Sequence, residues 1–121
     1  MPAVLFVSPD GDLRAAATRV LTMAGCHVTA AAHAGHAAIA CIERGGFDVL
    51  VIEERMADGT AGVIAGRLRR YCPGLWVVRM CNPGRVLWPA EIALVRPFTA
   101  YDLIAAVADA THGTRRGATI L

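Results

Sequence analysis

Phe47-Asp48-Val49-Leu50-Val51-Ile52-Glu53 decides the fold, because it is an apolar run that ends on a carboxylate. A short continuous run of Val, Leu and Ile closed off by turn formers reads as a strand buried on both faces. Gly45-Gly46 supplies the break on its N-terminal side. In open α/β sheets the carboxyl ends of the strands form the ligand crevice, so an acidic residue at such an end faces substrate, metal or phosphate. Glu53 is therefore the first candidate functional residue.

Working outward, short apolar runs alternate with longer Ala- and Leu-rich segments, the pattern of βα units around a parallel sheet. Strands are expected over 4–7, 28–32, 49–52, 76–80 and 92–95. Asp10 or Asp12 caps a first helix, whose apolar positions Leu13, Ala16, Ala17, Val20 and Leu21 follow helical spacing and which Gly25 ends. A second helix carries Ala37, Ala38, Cys41 and Ile42, and a third starts after Gly59-Thr60 and breaks at Cys72-Pro73-Gly74. Thr99 lies three residues before Asp102, a capping-box spacing, ahead of a last helix with Leu103, Ile104 and Val107 on its apolar face. One domain is expected over 1–111, followed by a flexible polar tail over 112–121.

Composition narrows the function classes. A chain of 121 residues with 55% hydrophobic content builds one core without disulfides. Cys26, Cys41, Cys72 and Cys81 have no paired spacing, which points to a reducing compartment. No stretch has the length of a membrane span and the start Met-Pro-Ala-Val-Leu-Phe-Val lacks a basic leader, so a cytoplasmic location without membrane contact is expected. Net charge is only +2, too weak a footprint for nucleic acid. All twelve basic residues are Arg, and the lack of Lys removes Schiff-base chemistry and a P-loop.

The order of elements resembles the receiver domain of two-component response regulators from Val4 to about Ala110. Phe47-Asp48-Val49-Leu50-Val51-Ile52-Glu53-Glu54-Arg55-Met56 looks like the family's phosphoacceptor strand and loop, and Arg96-Pro97-Phe98 is similar to its Lys-Pro-Phe after strand five. The resemblance implies a flavodoxin-like, doubly wound α/β fold with a five-stranded parallel sheet in the order 2-1-3-4-5. It also implies a place in a phosphorelay, with a histidine kinase, a phosphotransfer protein or an output protein as partner, and a homodimer as a further candidate.

At the site the residues depart from the family. Glu53 stands at the phosphoacceptor position, one methylene longer than Asp, which spoils an in-line attack that depends on fine placement. Ser8 and Pro9 stand where the resemblance implies a magnesium-binding acidic pair, and Asp10 is adjacent but displaced. Without those carboxylates a hard cation lacks ligands, and phosphotransfer loses its charge neutraliser. The switch positions carry Cys81, Ala93 and Arg96 in place of a hydroxyl residue, an aromatic residue and Lys. Arg96 and Glu53 can form a charge-assisted pair, bidentate where geometry allows, with Glu54 and Asp10 as rival carboxylates. Such a pair would imitate the activated contact without phosphate. The segment 82–90 is too short for the family's full fourth helix and contains Pro83 and Pro89, so a loop or at most one turn is expected. Its shortening would uncover one face of strand four and so accommodate Arg79. Leu87, Trp88, Arg96, Pro97 and Phe98 are the candidate partner contacts, Leu87 and Trp88 serving otherwise as cover for the sheet.

Other constellations have ordinary readings. Cys26, His27, His33 and His36 lie on separate elements and do not imply a metal cluster. Cys81 reads as a small core residue, or as a reactive thiol if Arg96 lowers its pKa. Asp58-Gly59-Thr60-Ala61-Gly62 reads as a turn after strand three, with a phosphate loop at a helix N-terminus as the alternative, and Arg67, Arg69 and Arg70 read as a solvated helix face, with a docking role as theirs. The expected function is a receiver-like signalling module without enzymatic activity, cofactor or bound metal, acting through protein contacts. The alternative is a small enzyme or ligand-binding protein on the same fold. It finds no glycine fingerprint and no nucleophile with a matched base.

Overall fold

β1 (Ala3–Val7), β2 (His27–Ala31) and β3 (Val49–Glu53) are the first strands of a computed structural model that describes residues 1–84 and 92–119, with side chains of the last helix described to residue 112. The remaining elements are α1 (Gly11–Met23), α2 (Ala34–Glu43), β4 (Arg55–Met56), β5 (Gly59–Thr60), α3 (Ala61–Leu68), β6 (Trp76–Cys81), β7 (Ile92–Val95) and α4 (Ala100–Thr119). The large sheet runs β2-β1-β3-β6-β7 with every pair parallel, which is the doubly wound, flavodoxin-like order expected from the sequence.

Strand alternation sorts the core into two layers. Leu5, Val7, Leu50, Ile52 and Val77 face α2 and α3, where Ala37, Cys41, Ile64, Ala65 and Leu68 meet them. Val4, Phe6, Val49, Val51, Val78 and Met80 face α1 and α4, against Ala17, Leu21, Leu103, Ala106 and Val107. Because both faces of β1 and β3 are covered, their sequences are continuously apolar rather than alternating. Each such Leu, Ile, Val or Phe contributes roughly 1.5 to 3 kcal/mol by leaving water. The edge strands β2 and β7 are only partly buried, which matches their weaker sequence signal.

The helix ends follow the sequence signals. The Asp10 carboxylate accepts from the backbone N–H groups of Asp12 and Leu13 at 3.0 and 3.1 Å, so Asp10, not Asp12, caps α1. Gly25 follows α1 at φ +95°, a conformation that L side chains rarely adopt. Thr99 and Asp102 close the capping box reciprocally, Asp102 N–H donating to Thr99 Oγ1 at 3.1 Å and Thr99 N–H to the Asp102 carboxylate at 2.9 Å.

Four features differ from the sequence reading. Residues 58–62 do more than turn, since β4 and β5 pair as a short antiparallel hairpin and the Asp58 carboxylate accepts from Ala34 N–H at the start of α2 at 2.7 Å. Arg69 is not merely solvated: its Nε and Nη2 donate to Leu75 O at 3.2 and 3.1 Å and secure the connection from α3 to β6. Helix α4 continues to Thr119, so a segment expected to begin a tail at 112 is helical. Gly113 and Gly117 cost about 1 kcal/mol each in a helix, but no proline breaks the run. Arg79, expected on an uncovered face of the sheet, is buried. The expectation for 82–90, including Leu87 and Trp88, falls mainly on residues 85–91, outside the described residues. At 82–84 the chain leaves β6 in a turn, with Gly84 at φ +85°.

Candidate functional site

β1 and β3 are neighbours in the sheet while their chains continue to helices on opposite faces, so their carboxyl ends open the crevice that such folds use for ligands. Ser8 follows β1 directly and Glu53 ends β3. Parallel register in β1–β3 carries Val7 opposite Ile52, which brings the next residue of each strand to the same level. Arg96 follows β7, and its backbone N–H donates to Cys81 O at 2.9 Å, extending the β6–β7 ladder by one bond toward the crevice.

Three of the expected site residues meet there. The Arg96 guanidinium donates through Nη2 to Glu53 Oε1, and the Ser8 hydroxyl donates to Glu53 Oε2 at 2.9 Å. The pair is thus not a fork: one carboxylate oxygen takes the arginine and the other takes the serine. Glu53 has 13% of its side-chain surface exposed and Arg96 34%, so the pair is partly desolvated and its cation still meets solvent. The rivals for Arg96 are engaged elsewhere. Asp10 caps α1, and Glu54 accepts from Arg79 Nη1 at 3.3 Å.

That second ion pair was not foreseen. Glu54 continues the phase of Leu50 and Ile52, so it turns to the α3 side of the sheet, where Arg79 continues the phase of Val77. The sequence signal was available in principle: an arginine inside a core strand calls for a carboxylate at the strand ends.

A cavity of about 100 Å³ adjoins the site, lined by Glu53, Glu54, Arg55, Met80, Cys81, Asn82 and Arg96. Cys81 is buried at its edge. Ala93 is not part of it; it lines a separate groove with Phe98 and Asp102 between β7 and α4. Pro9 is exposed, as is Pro97, while Phe98 packs half-buried against the α1–α4 layer. His33 caps α2 by accepting His36 N–H at Nδ1 and its ring lies 3.9 Å from that of His36, while Cys26 is buried and His27 exposed on β2. Among the described residues no three His, Cys, Asp or Glu side chains come together as a metal site. Cys41 lies beside Cys72 in the α2–α3 layer, where burial, then the hydrogen bond and charge of Cys72, push its thiol up to about 12.

No family model matches the sequence, and no curated protein matches it. Solved structures do. A response regulator receiver protein from Sinorhizobium medicae WSM419 superposes with a TM-score of 0.80 at 23% identity, over 93% of this chain and 96% of that one. A response regulator receiver domain protein from Clostridium thermocellum gives 0.80 at 17% identity over 100% of both chains. The receiver domain of the hybrid histidine kinase CckA gives 0.79 at 23% identity, over 90% of this chain and 98% of that one.

The chain has the receiver fold.

The magnesium ion that a receiver resemblance implies in this crevice does not fit the residues present. The Ser8 hydroxyl oxygen already accepts Asp10 N–H while its proton goes to Glu53, Pro9 offers no side-chain ligand atom, and both Glu53 oxygens already accept from donors. A guanidinium in the same pocket adds repulsion. Magnesium keeps several of its waters and is held by one or two carboxylates, and the two beside this cavity, Glu53 and Glu54, are each engaged by an arginine.

Proposed function

We propose that the chain is a receiver-like signalling module of the two-component type that does not use magnesium-dependent Asp phosphorylation and acts by protein–protein contact. One observation carries the reading: the Arg96 guanidinium donates directly to the Glu53 carboxylate. A longer carboxylate and a cation with a longer head close the gap that a phosphoryl group would otherwise span. The contact is charge-assisted and partly buried, so it persists better than an exposed pair. Signalling would then be set by the abundance of the protein and of its partner. Candidate partners are a histidine kinase, a phosphotransfer protein or an output protein in the cytoplasm. The exposed Pro97 and the adjoining Arg96 and Phe98 form the nearest contact surface beside the pair.

The reading includes no enzymatic turnover and no cofactor. It is tested by incubating the protein with magnesium and acetyl phosphate and weighing it intact. The expected mass is unchanged. Stable addition of a phosphoryl group would overturn the reading. In parallel, partner capture from the source cell should weaken in both Glu53→Gln and Arg96→Ala, and equal capture by all three proteins would remove the Glu53–Arg96 contact from the mechanism.

A further inference from the structure

Ser8 occupies a position where the fold could have placed a carboxylate, yet the residue has no exposed surface and every polar group it owns is engaged. Its backbone is held from two sides: Ser8 N–H donates to Ala31 O at 3.1 Å, and Ser8 O accepts from Arg14 Nη1 at 2.7 Å. A hydroxyl has one proton and two lone pairs, and it rotates to suit its neighbours. Here the neighbours leave it one useful orientation. Asp10 N–H donates to Ser8 Oγ at 3.2 Å, and the Ser8 proton then goes to Glu53 Oε2 at 2.9 Å.

That matters because Glu53 is a flexible group in need of aim. Its terminal torsion is broad, so a single contact to Arg96 fixes where one oxygen lies but not the plane of the carboxylate. A directed donor on the second oxygen fixes the plane. We propose that Ser8 is the positioning residue of the pocket: its hydroxyl holds Glu53 Oε2 so that Oε1 is presented to Arg96, and it ties that carboxylate to the N-terminus of α1. The inference rests on the reading of Glu53 and Arg96 as a standing contact. It adds a relay of three links, from Arg96 through Glu53 and Ser8 to the backbone N–H of Asp10, the residue that caps α1. Loosening the pair at one end frees the hydroxyl at the other, so the start of α1 reports on the state of the crevice.

Hydrogen exchange measured by NMR on the full chain tests this, following the Arg96 guanidinium protons and the Asp10 amide in the wild type, Ser8→Ala, Ser8→Cys and Glu53→Gln. In Ser8→Ala both sets of protons are expected to exchange roughly five-fold faster, the loss of one hydrogen bond. Ser8→Cys keeps the size and offers a weaker donor, so it should fall between, and it carries the test if the alanine variant does not fold. A role in packing alone would lower the melting temperature of Ser8→Ala and leave Arg96 exchange at the wild-type rate, which would overturn the proposal. If Glu53→Gln also leaves Arg96 exchange unchanged, the Glu53–Arg96 contact is absent, and the functional reading fails together with this one.

Discussion

Glu53 and Glu54 are adjacent in sequence, each is paired with an arginine from the other half of the sheet, and they do different things. Glu54 turns to the α3 side and meets Arg79, whose side chain is 8% exposed against 20% for the glutamate. Glu53 turns to the crevice and meets Arg96, whose side chain is 34% exposed. The difference lies in who pays the desolvation. Arg79 is nearly enclosed by the fold, so removing Glu54 takes a counter-charge from a largely buried guanidinium. Arg96 keeps a third of its surface in solvent and can leave Glu53 at modest cost. The first pair is fixed by the architecture, whereas the second is open to exchange with solvent.

The strongest way to break that contrast is to remove each arginine in turn. Arg79→Ala strands Glu54 beside the α3 layer, and the expected loss is about 3 kcal/mol, the low end for a broken buried pair because Glu54 is partly solvated. In a chain of this size that corresponds to a fall of roughly 10 °C in melting temperature. The double variant Arg79→Met with Glu54→Gln should recover much of it, since an apolar side chain of similar length fills the space without a charge to satisfy. Equal losses for Arg79→Ala and Arg96→Ala in denaturant melts would show that the two pairs are not different in kind.

Arg96→Ala should cost less, about 1 to 2 kcal/mol, because the guanidinium is already a third exposed and Glu53 retains the Ser8 hydroxyl. A double-mutant cycle with Glu53→Gln sharpens the comparison. The expected coupling is about 1 kcal/mol and should shrink in high salt, since solvent reaches one partner. A salt-independent coupling would mean that the crevice is as dry as the α3 side.

The difference between the two pairs also marks how far the sequence could be read. The sheet was legible because its information is local: the run 49–52 is apolar at every position, Thr99 and Asp102 stand at cap spacing, and Gly25 marks a helix end. The Glu53–Arg96 contact was legible too, because the resemblance to receivers put both residues at carboxyl ends of strands facing one crevice, although β6 lies between β3 and β7. What was missed depends on phase and on distant partners. Whether Arg79 faces a helix layer or solvent follows from the side of the sheet it takes, and its carboxylate lies 25 residues away. The bond between Ser8 and Glu53 spans 45 residues, and the sequence reading treated serine only as a missing acid, not as a donor. The hairpin of β4 and β5 has two residues per strand, too few for any periodicity to register. Helix α4 outlasted its expected end because two glycines weaken a helix without stopping it.

The smallest expected effect is the most diagnostic of the crevice, and it concerns magnesium. A ligand present at ~10 times its dissociation constant stabilises the folded state by about 1.4 kcal/mol, which a thermal melt of a domain this size resolves. A hard cation gains that stabilisation where oxygen ligands, above all carboxylates, are open to it. Here one Glu53 oxygen accepts from Arg96 and the other from Ser8, and the nearby Asp10 carboxylate is spent on the cap of α1. Magnesium would have to displace a hydroxyl and a guanidinium, and then lie beside that guanidinium's positive charge. The expected shift in melting temperature at millimolar magnesium is therefore zero within error, and titration calorimetry should show no saturable heat. The buried pair predicts the same null result, so Arg79→Ala serves as the control for a general salt effect. A shift that saturates with magnesium, survives in Arg79→Ala and disappears in Glu53→Gln would show that the cation outcompetes both donors, and the crevice would then have to be regarded as a working metal site.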